Sequence, residues 1–369
     1  MKKLLFGAYS LDIGGIEKAL VILLNKLQEK GYDITLVLEK RQGIFLNEIN
    51  PKIKIIEYAP SNSKNKIQRK IINLIKRIKF TLKNKNKYDF SASFATYSLP
   101  ASFVARTASK NCYLWGHADY LTLFDGNTEK MKEFFIERNY DKFKKIIFVS
   151  KEGKESFIKV FPEMKEKTMV CNNLIDADKI LELSKEKIPE EDLLKINKLE
   201  NTQKETTTFI NVGRHQEKQK KLSRLIEAAT MLKKDNMNFK IIFIGDGPET
   251  EEYKKQVKNN QLENNIIFLG KKQNPYPYFK IADCVVLTSD YEGYPVVFLE
   301  SFILEKPIIT TKVSDYQEVE NKYGFVTEKD TKDIYEKMKN FILNGFEIKE
   351  KFDYKKYNEE ILKKIEDLI

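Results

Sequence analysis

The sequence predicts an α/β protein made of two domains, each a parallel sheet covered by helices on both faces. At 369 residues the chain is longer than one ordinary domain, and two domains of roughly 150 to 200 residues account for it. Hydrophobic residues make up 41% of the chain and aromatic residues 12%, which is enough to build buried cores. Short apolar strands alternate with helical stretches in both halves, a pattern typical of parallel sheets.

The first domain is predicted to span residues 1–175. It opens with a strand at Leu4–Leu11 and a helix that starts at Ile16. A further helix is predicted near Pro100–Thr107. The remaining strands are predicted at Ile34–Leu38, Ile53–Tyr58, Phe90–Phe94, Cys112–Trp115 and Ile146–Ser150.

A basic amphipathic helix is predicted at residues 64–87. The stretch Pro60–Tyr88 holds ten Lys or Arg and no acidic residue, so it carries most of the net charge of +11. Its apolar residues recur at spacings of three and four, as one face of a helix requires. Three uses remain open: packing on the sheet with a solvated basic rim, docking on anionic lipid, and binding a polyanion. No nucleic-acid-binding motif accompanies the helix, so we expect a membrane surface as partner and no nucleic acid.

The second domain is predicted to span residues 176–350. A charged stretch, Lys185–Glu205, comes before its first strand and is interpreted as an inter-domain connection or a surface helical insertion. Asp176-Ala177-Asp178 is interpreted as the cap of a short helix and not as a metal motif. Strands are predicted at Thr207–Gly213, Lys240–Gly245, Ile266–Leu269, Cys284–Thr288 and Ile308–Thr311, and a last amphipathic helix at Tyr354–Ile369.

Two glutamates eight positions apart, Glu292 and Glu300, mark a candidate ligand site. The first follows the predicted strand Cys284–Thr288, and the second lies in a predicted helix, Val296–Glu305. Ligands of open α/β sheets bind at the carboxyl ends of the strands, and free amides at a helix N-terminus suit phosphate. Two carboxylates beside such a helix start can accept hydrogen bonds from sugar hydroxyls on either side of a diphosphate, so the segment predicts a nucleotide-sugar cradle.

This segment resembles the Glu-x7-Glu signature of the family 4 retaining glycosyltransferases. The resemblance implies the GT-B architecture, in which two Rossmann-like domains face a central cleft. It also implies that residues 1–175 bind the acceptor and residues 176–350 the nucleotide sugar. Residues 351–369 would form a C-terminal helix that crosses back and packs on the first domain.

A strand-end arginine and a following lysine extend the resemblance. Arg214 comes directly after Gly213 at the end of a predicted strand, and Lys220 lies just ahead of the next helix. They resemble the family's Gly-Arg…Lys-Gly element, whose cations hold the diphosphate. Here Lys221 stands where the family has glycine, and the spacing is about one residue longer. Lys218 and Lys221 therefore remain alternatives to Lys220.

The first domain contributes two further candidates. Gly14 and Gly15 join the first strand to the first helix and permit close backbone approach to a phosphate; they resemble the family's Gly-Gly-x-Glu loop, in which Glu17 is a positioning residue. His117 follows the strand Cys112–Trp115, and a histidine at this place in the family faces the donor sugar. His215, the other histidine, is interpreted as incidental.

The resemblance also supplies a set of roles. Glu300 would bind the ribose hydroxyls and Glu292 those of the donor sugar, while Arg214 and Lys220 take the diphosphate charge. We expect the nucleotide to be contacted in addition by backbone at Gly245, Gly247, Leu269, Gly270, Val296 and Val297.

The function implied is a hexosyltransferase that needs no metal and no cofactor. It would move a hexose or N-acetylhexosamine from a nucleoside-diphosphate sugar, with uridine favoured, to a glycan or lipid-linked glycan in surface polysaccharide assembly. The alternatives are another reaction type on the same architecture (an epimerase or phosphorylase) and a non-enzymatic polyanion-binding protein. Three scattered cysteines and no apolar run of about 18 residues favour a cytoplasmic protein, peripheral on the inner face of the cytoplasmic membrane.

Overall fold

The computed structural model describes residues 1–12, 14–198 and 206–369. The chain divides into two compact units, one formed by Met1–Ile175 with Lys355–Ile369 and the other by Asp176–Tyr354. Each unit holds a single parallel sheet with helices, as the sequence predicts. Of the predicted connection Lys185–Glu205, residues 199–205 lie outside the described part.

The first unit is built on seven parallel strands. The chain runs outward from β1 to β3, returns to the other side of β1 at β4, and then runs outward to β7. This reversal between β1 and β4 is a topological switch point, where loops at the carboxyl ends of the strands separate. The strands are β1 (Lys3–Ala8), β2 (Asp33–Leu38), β3 (Lys54–Glu57), β4 (Phe90–Ser93), β5 (Cys112–Gly116), β6 (Lys145–Phe148) and β7 (Thr168–Val170).

The helices of the first unit begin mostly at polar capping residues. The side chains of Asn65, Ser98, Asp119, Asn127 and Ser150 each accept a hydrogen bond from a backbone amide of the helix that follows, which satisfies donors that the helix leaves open. The helices are α1 (Gly15–Glu29), α2 (Lys66–Asn84), α3 (Leu99–Ala108), α4 (Tyr120–Leu123), α5 (Thr128–Glu137) and α6 (Lys151–Val160), with 3-10 turns at Ile44–Glu48, Tyr140–Lys142 and Pro162–Lys167.

Helix α2 packs on the first unit by the side that contains Phe80 and Asn84, and it presents its apolar stripe outward. Phe80 and Asn84 are its buried residues, and it packs against α3. The stripe residues are 45 to 79% exposed. The alternative in which this stripe packs on the sheet is therefore wrong. The stripe consists of Ile67, Ile71, Leu74, Ile75, Ile78 and Leu82.

The second unit is built on six parallel strands in the order β10-β9-β8-β11-β12-β13. Its chain also reverses next to its first strand, so the switch point lies between β8 and β11. The strands are β8 (Thr207–Val212), β9 (Phe239–Ile244), β10 (Ile266–Phe268), β11 (Cys284–Leu287), β12 (Ile308–Thr311) and β13 (Gly324–Thr327).

The helices of the second unit cover this sheet. Asp176 accepts a hydrogen bond from the Lys179 amide and thus caps α7, which confirms the cap interpretation of this motif. The helices are α7 (Ala177–Leu183), α8 (Glu190–Asn197), α9 (Glu217–Lys220), α10 (Leu222–Lys234), α11 (Thr250–Asn259), α12 (Tyr276–Ile281), α13 (Val296–Ile303) and α14 (Thr331–Asn344), with a 3-10 turn at Tyr316–Glu318.

The last helix, α15 (Tyr354–Glu366), packs with the first unit. Its Asn358 exchanges two hydrogen bonds with the backbone of Ile175, at 3.0 and 2.8 Å. Near the chain end, Lys30 forms an ion pair of 2.8 Å with Glu366. The C-terminal segment is therefore part of the first unit's core.

The three cysteines are buried and free in the interior of the two units. Burial raises the pKa of the Cys171 thiol to about 12, so this thiol stays protonated and unreactive. In the described part of the chain we find no helix with both the length and the apolar character that a membrane span requires.

Candidate functional site

The two glutamates of the second unit lie where β11 gives way to α13. Glu292 is in the loop between them, and Glu300 is inside α13. Both carboxylates are buried, with 7 and 8% of each residue exposed. A buried carboxylate is destabilising unless it is paired or hydrogen-bonded, so the partners of each glutamate define its role.

Glu292 is held by three side chains of its own unit. Its Oε1 accepts from Lys220 Nζ at 2.6 Å and from the Ser289 hydroxyl at 2.7 Å. Its Oε2 accepts from Gln219 Nε2 at 3.1 Å. The carboxylate is thus fixed in orientation and neutralised by one cation.

The structure separates the three candidate lysines. Lys220, the last residue of α9, points its side chain along Gly213 toward Glu292. Lys221 turns to other acids, with its Nζ 3.7 Å from Glu217 and 3.8 Å from Asp290. Lys218 is exposed. Lys220 is therefore the lysine that shares a site with Glu292.

The residue that departs from the family's glycine has an unusual backbone conformation. Lys221 has φ 48° and ψ 47°, in the left-handed region. Glycine enters that region without the steric strain of a Cβ atom, and other residues do so at a cost of about 1–2 kcal/mol. Lys221 therefore has a backbone conformation that glycine would adopt with less strain.

Arg214 follows β8 directly and is exposed. Its guanidinium forms no ion pair with any carboxylate in the described ranges. Its neighbour Gly213 continues the sheet by donating its amide to Ile244 at 3.0 Å. The arginine therefore stands at the sheet edge with its charge available to a ligand.

Gly245 and Gly247 are required by close backbone packing. A Cβ atom at Gly245 would lie 1.8 Å from the Gly213 carbonyl oxygen, and one at Gly247 would lie 2.0 Å from that of His215. Gly245 also has φ +143°. The turn after β9 is thus pressed against the segment after β8, which explains both glycines without a ligand.

His215, next to Arg214, is part of the interior of the second unit. It is fully buried, its Nδ1 lies 2.8 Å from the Thr250 hydroxyl, and its backbone amide donates to Asp246 at 3.1 Å. Burial lowers the pKa of its imidazole, and its Nε2 has no partner in the described structure. The signal available in the sequence was its position directly after a strand-end arginine.

Leu269 and Gly270 each use one backbone group, an amide or a carbonyl, in a hydrogen bond that extends the sheet. The Leu269 amide donates to Phe243, and the Gly270 carbonyl accepts from Gly245, both at 3.0 Å. Only the Leu269 carbonyl and the Gly270 amide therefore remain for contact with a base.

Glu300 is oriented by an aromatic hydroxyl that the sequence did not identify. Tyr276, the first residue of α12, donates to Glu300 Oε1 at 2.9 Å and is itself buried. Helix α13 begins after Pro295 with no side-chain cap, so Val296 and Val297 carry its uncapped first amides. Uncapped amides at a helix start attract anions.

In the first unit, Gly14 and Gly15 start α1, and Ile13 beside them lies outside the described residues. No side chain caps α1. The Glu17 carboxylate folds back so closely that a Cβ at Gly14 would lie 2.1 Å from its Oε2. Tyr97 donates to the other oxygen of Glu17 at 2.9 Å. These contacts hold the Glu17 side chain beside the Gly14 backbone, as a residue that positions the loop would require.

His117 is a neutral histidine at the carboxyl end of β5. Its ring centroid lies 4.6 Å from that of Phe94, and Trp115 is buried next to the same phenylalanine. Burial lowers the pKa of its imidazole to about 3. Its Nε2 is buried with no hydrogen-bond partner in the described structure.

In the second unit the structure places Lys220 against Glu292. Arg214 follows β8, and the start of α13, the helix that contains Glu300, follows the neighbouring strand β11. Gly14, Gly15 and His117 belong to the other unit. Among the described residues, no group of three or more His, Cys, Asp or Glu side chains is arranged to hold a metal ion.

Comparison with known proteins finds a family model that is similar to most of the second unit. Residues 194–359 match the family model of the Glycosyl transferases group 1. An uncharacterized glycosyltransferase of Methanocaldococcus jannaschii is 31% identical over 166 residues, which cover 45% of this chain and 39% of that protein. An uncharacterized glycosyltransferase of Haemophilus influenzae is 23% identical over 94% of this chain and 92% of its own length. The match to the Methanocaldococcus jannaschii protein therefore spans less than two thirds of that protein's length.

Solved structures resemble the whole chain. Anabaena HepE in complex with UDP and glucose superposes with a TM-score of 0.77 at 18% identity, covering 99% of this chain and 100% of that one. Staphylococcus aureus TarM, as a mutant bound to UDP and glycan ligands, superposes with a TM-score of 0.74 at 15% identity over 100 and 99% of the two chains. These findings confirm the expected resemblance to glycosyltransferases and the GT-B fold.

Proposed function

Starting from the group 1 glycosyltransferase match of residues 194–359, we propose that this chain is a metal-independent, retaining hexosyltransferase. It transfers a hexose or N-acetylhexosamine from a nucleoside-diphosphate sugar, with uridine as the base, to a glycan or lipid-linked glycan in surface polysaccharide assembly. The observation that carries the proposal is the group of Lys220, Glu292 and Arg214 beside an uncapped helix start.

In this proposal the diphosphate lies against the start of α13. Arg214 and Lys220 neutralise the charge that develops on the leaving diphosphate, and the amides of Val296 and Val297 donate to its oxygens. Cations and amides at a developing anion are typically the largest catalytic contribution in such reactions. Lys220 has three ammonium donors, so it can bind a phosphate oxygen while it keeps Glu292 in place.

The two glutamates bind the sugars at the ends of the donor. Glu292 accepts from the hydroxyls of the transferred sugar, and Glu300, oriented by Tyr276, accepts from the ribose. The bond between the anomeric carbon and the diphosphate oxygen breaks while the acceptor oxygen bonds to the same face of that carbon. The acceptor proton passes to the departing diphosphate, so no protein nucleophile is needed.

We assign His117 and the Gly14-Gly15 loop to the donor site as contributions of the first unit. A histidine whose pKa is about 3 is neutral at physiological pH. Its partnerless Nε2 can therefore exchange a hydrogen bond with a sugar hydroxyl without placing a second charge near the anomeric carbon. The uncapped amides at the start of α1 offer donors of the same kind.

The preference for uridine and for a lipid-linked acceptor draws on the relatives. The HepE structures hold UDP, UDP with glucose, or UDP-glucose. A Campylobacter jejuni relative, 26% identical over 49% of this chain and 45% of its own length, is an N-acetylgalactosaminyltransferase named for a diphospho-undecaprenol acceptor.

The proposal includes peripheral docking on anionic lipid through α2, at the inner face of the cytoplasmic membrane. The apolar stripe of α2 points outward, and its basic residues flank the stripe on both sides. Such a helix lies in a membrane interface with its apolar side toward the acyl chains. Each Lys or Arg near an anionic leaflet adds about 1 kcal/mol.

The donor assignment is tested by saturation-transfer NMR with uridine-, guanosine-, adenosine- and thymidine-diphosphate sugars. We expect selective binding of the uridine compounds by the wild type and loss of that binding in Arg214→Ala. Arg41→Ala, which removes an exposed arginine of the first unit, is the matched control. Undiminished binding and transfer by Arg214→Ala would contradict the assignment.

The membrane assignment is tested by sedimentation with anionic vesicles. The double variant Leu74→Gln, Ile78→Gln should lose most of the vesicle binding, because it removes the centre of the exposed stripe. Ile136→Gln, which alters an exposed isoleucine on α5, should bind as the wild type does. Equal binding by all three proteins would refute docking through α2.

A further inference from the structure

A cavity of about 390 Å³ lies in the first unit at the carboxyl ends of three adjacent strands. Tyr9 follows β1, Glu39 follows β2 and Tyr58 follows β3, and all three line the cavity. Its volume falls in the range of small-molecule sites, about 300–1,000 Å³. The position also matches the strand ends where open α/β sheets bind ligands.

Four aromatic rings form part of the wall. Tyr58 stacks on Phe103 with ring centroids 5.9 Å apart, and Tyr9 lies 5.8 Å from Tyr97. Rings of this kind offer large, rigid contact faces with polar edges. Such a wall suits the apolar faces of a sugar ring whose hydroxyls remain at the polar rim.

Helix α2 contributes two cations to the cavity, and one of them lies over an aromatic ring. The guanidinium carbon of Arg77 lies 5.1 Å from the centroid of Phe103, and Arg77 forms no ion pair with a described carboxylate. Lys76 donates to the Ala59 carbonyl at 2.8 Å, which uses one of its three donors. Both residues line the cavity.

The cavity has a surplus of positive charge. Glu39 is its one carboxylate, and the Ser98 hydroxyl already donates to Glu39 Oε2 at 2.7 Å. An arginine that lies over an aromatic ring and has no ion pair with a described carboxylate is well suited to phosphate, which it can bind through two parallel hydrogen bonds. The lining therefore fits a ligand that combines a sugar ring with a phosphate.

We propose that this cavity binds the acceptor through a sugar phosphate group, with the phosphate on Arg77 and Lys76 and the sugar against Tyr9, Tyr58 and Phe103. The inference rests on the proposed transferase function and specifies its acceptor. The sugar phosphate can belong to a soluble compound or to the head group of a membrane lipid. The exposed stripe on the same helix favours the lipid as the source.

The first experiment is calorimetric titration with the 1-phosphates of glucose, galactose, N-acetylglucosamine and N-acetylgalactosamine, each compared with its methyl glycoside. At least one phosphate should bind about tenfold tighter than its neutral counterpart, because hydrogen bonds between two charged groups are stronger than those to a neutral group. Arg77→Gln should abolish that difference. Lys79→Gln removes the same charge two residues along α2 and outside the cavity lining, so it should retain the difference.

Three results would overturn the inference: no phosphate preferred over its glycoside, equal losses in the two variants, or inorganic phosphate binding as tightly as every sugar phosphate. UDP titrated into Arg77→Gln should give the wild-type affinity, which also shows that the variant is folded. A protein that binds no nucleotide sugar but keeps the Arg77-dependent preference would refute the transferase function and leave the sugar phosphate site intact.

The second experiment identifies the source of the ligand. Neutral vesicles that contain a polyprenyl-phosphate-linked sugar should retain the wild type and Lys79→Gln but not Arg77→Gln. Retention that is independent of Arg77 would refute a lipid head group as the ligand.

Discussion

At the carboxyl edge of the second sheet, a lysine neutralises a buried glutamate. At the carboxyl edge of the first sheet, polar groups stand among aromatic rings. Glu292 has Lys220 at 2.6 Å, whereas Arg77 has a phenylalanine face and the His117 Nε2 has no partner in the described residues. Both edges arise from the same topology, a parallel sheet whose chain reverses next to its first strand. Topology thus determines where a ligand can bind, and the side chains on the loops determine which chemistry it meets.

The largest expected effect comes from breaking the charge pair of the second edge. Lys220→Ala should lower kcat/KM for transfer about 10²–10³-fold, the range seen when one preorganised group at a developing anion is lost. It also leaves Glu292 buried without its cation. Steady-state transfer kinetics measure the effect, and Lys218→Ala is the matched control. A loss of less than about threefold would show that another cation serves the diphosphate.

An intermediate effect is expected from the uncharged histidine of the first edge. The pKa of His117 is about 3 in the folded protein and about 6.5 when unfolded, so the unfolded chain binds the proton first as the pH falls. The free energy of unfolding should therefore decrease below pH 6.5. Between pH 7.5 and pH 5 the loss due to His117 is about 2 kcal/mol.

This pH effect is measured by urea unfolding followed through the fluorescence of Trp115, the chain's one tryptophan. His117→Phe, which retains an aromatic ring beside Phe94, should lack this part of the pH dependence. Parallel pH profiles for the two proteins would contradict a neutral, buried His117.

The smallest expected effect concerns the backbone next to the charge pair. Lys221→Gly should be about 1 kcal/mol more stable than Lys221→Ala, because both variants lose the same weak ion pairs and only glycine relieves the left-handed strain. Thermal unfolding of the two variants measures the difference. Equal stabilities would mean that the left-handed conformation carries no strain here.

Several elements of the fold and site could be predicted because they depend on local pattern. The alternation of apolar strands and helices indicated both parallel sheets, and the position of Asp176 before a helix indicated its cap. The position of Glu292 after a strand and of Glu300 in the next helix also follows from local sequence. The partners of those residues do not, because Lys220 and Tyr276 lie 72 and 24 residues away from them.

The sequence alone determines three features. They are the two-sheet architecture, the strand ends that carry the polar residues, and the amphipathic character of α2. Each of these features can be read from the spacing of apolar and polar residues, because that spacing shows which side of a helix or strand is apolar. The folded chain was needed to select Lys220 over Lys218 and Lys221, to reveal the burial of His215, and to show that the stripe of α2 points outward. The physical reason is that an amphipathic pattern is the same whether its apolar side meets a core or a membrane, and contacts between distant residues leave no local pattern.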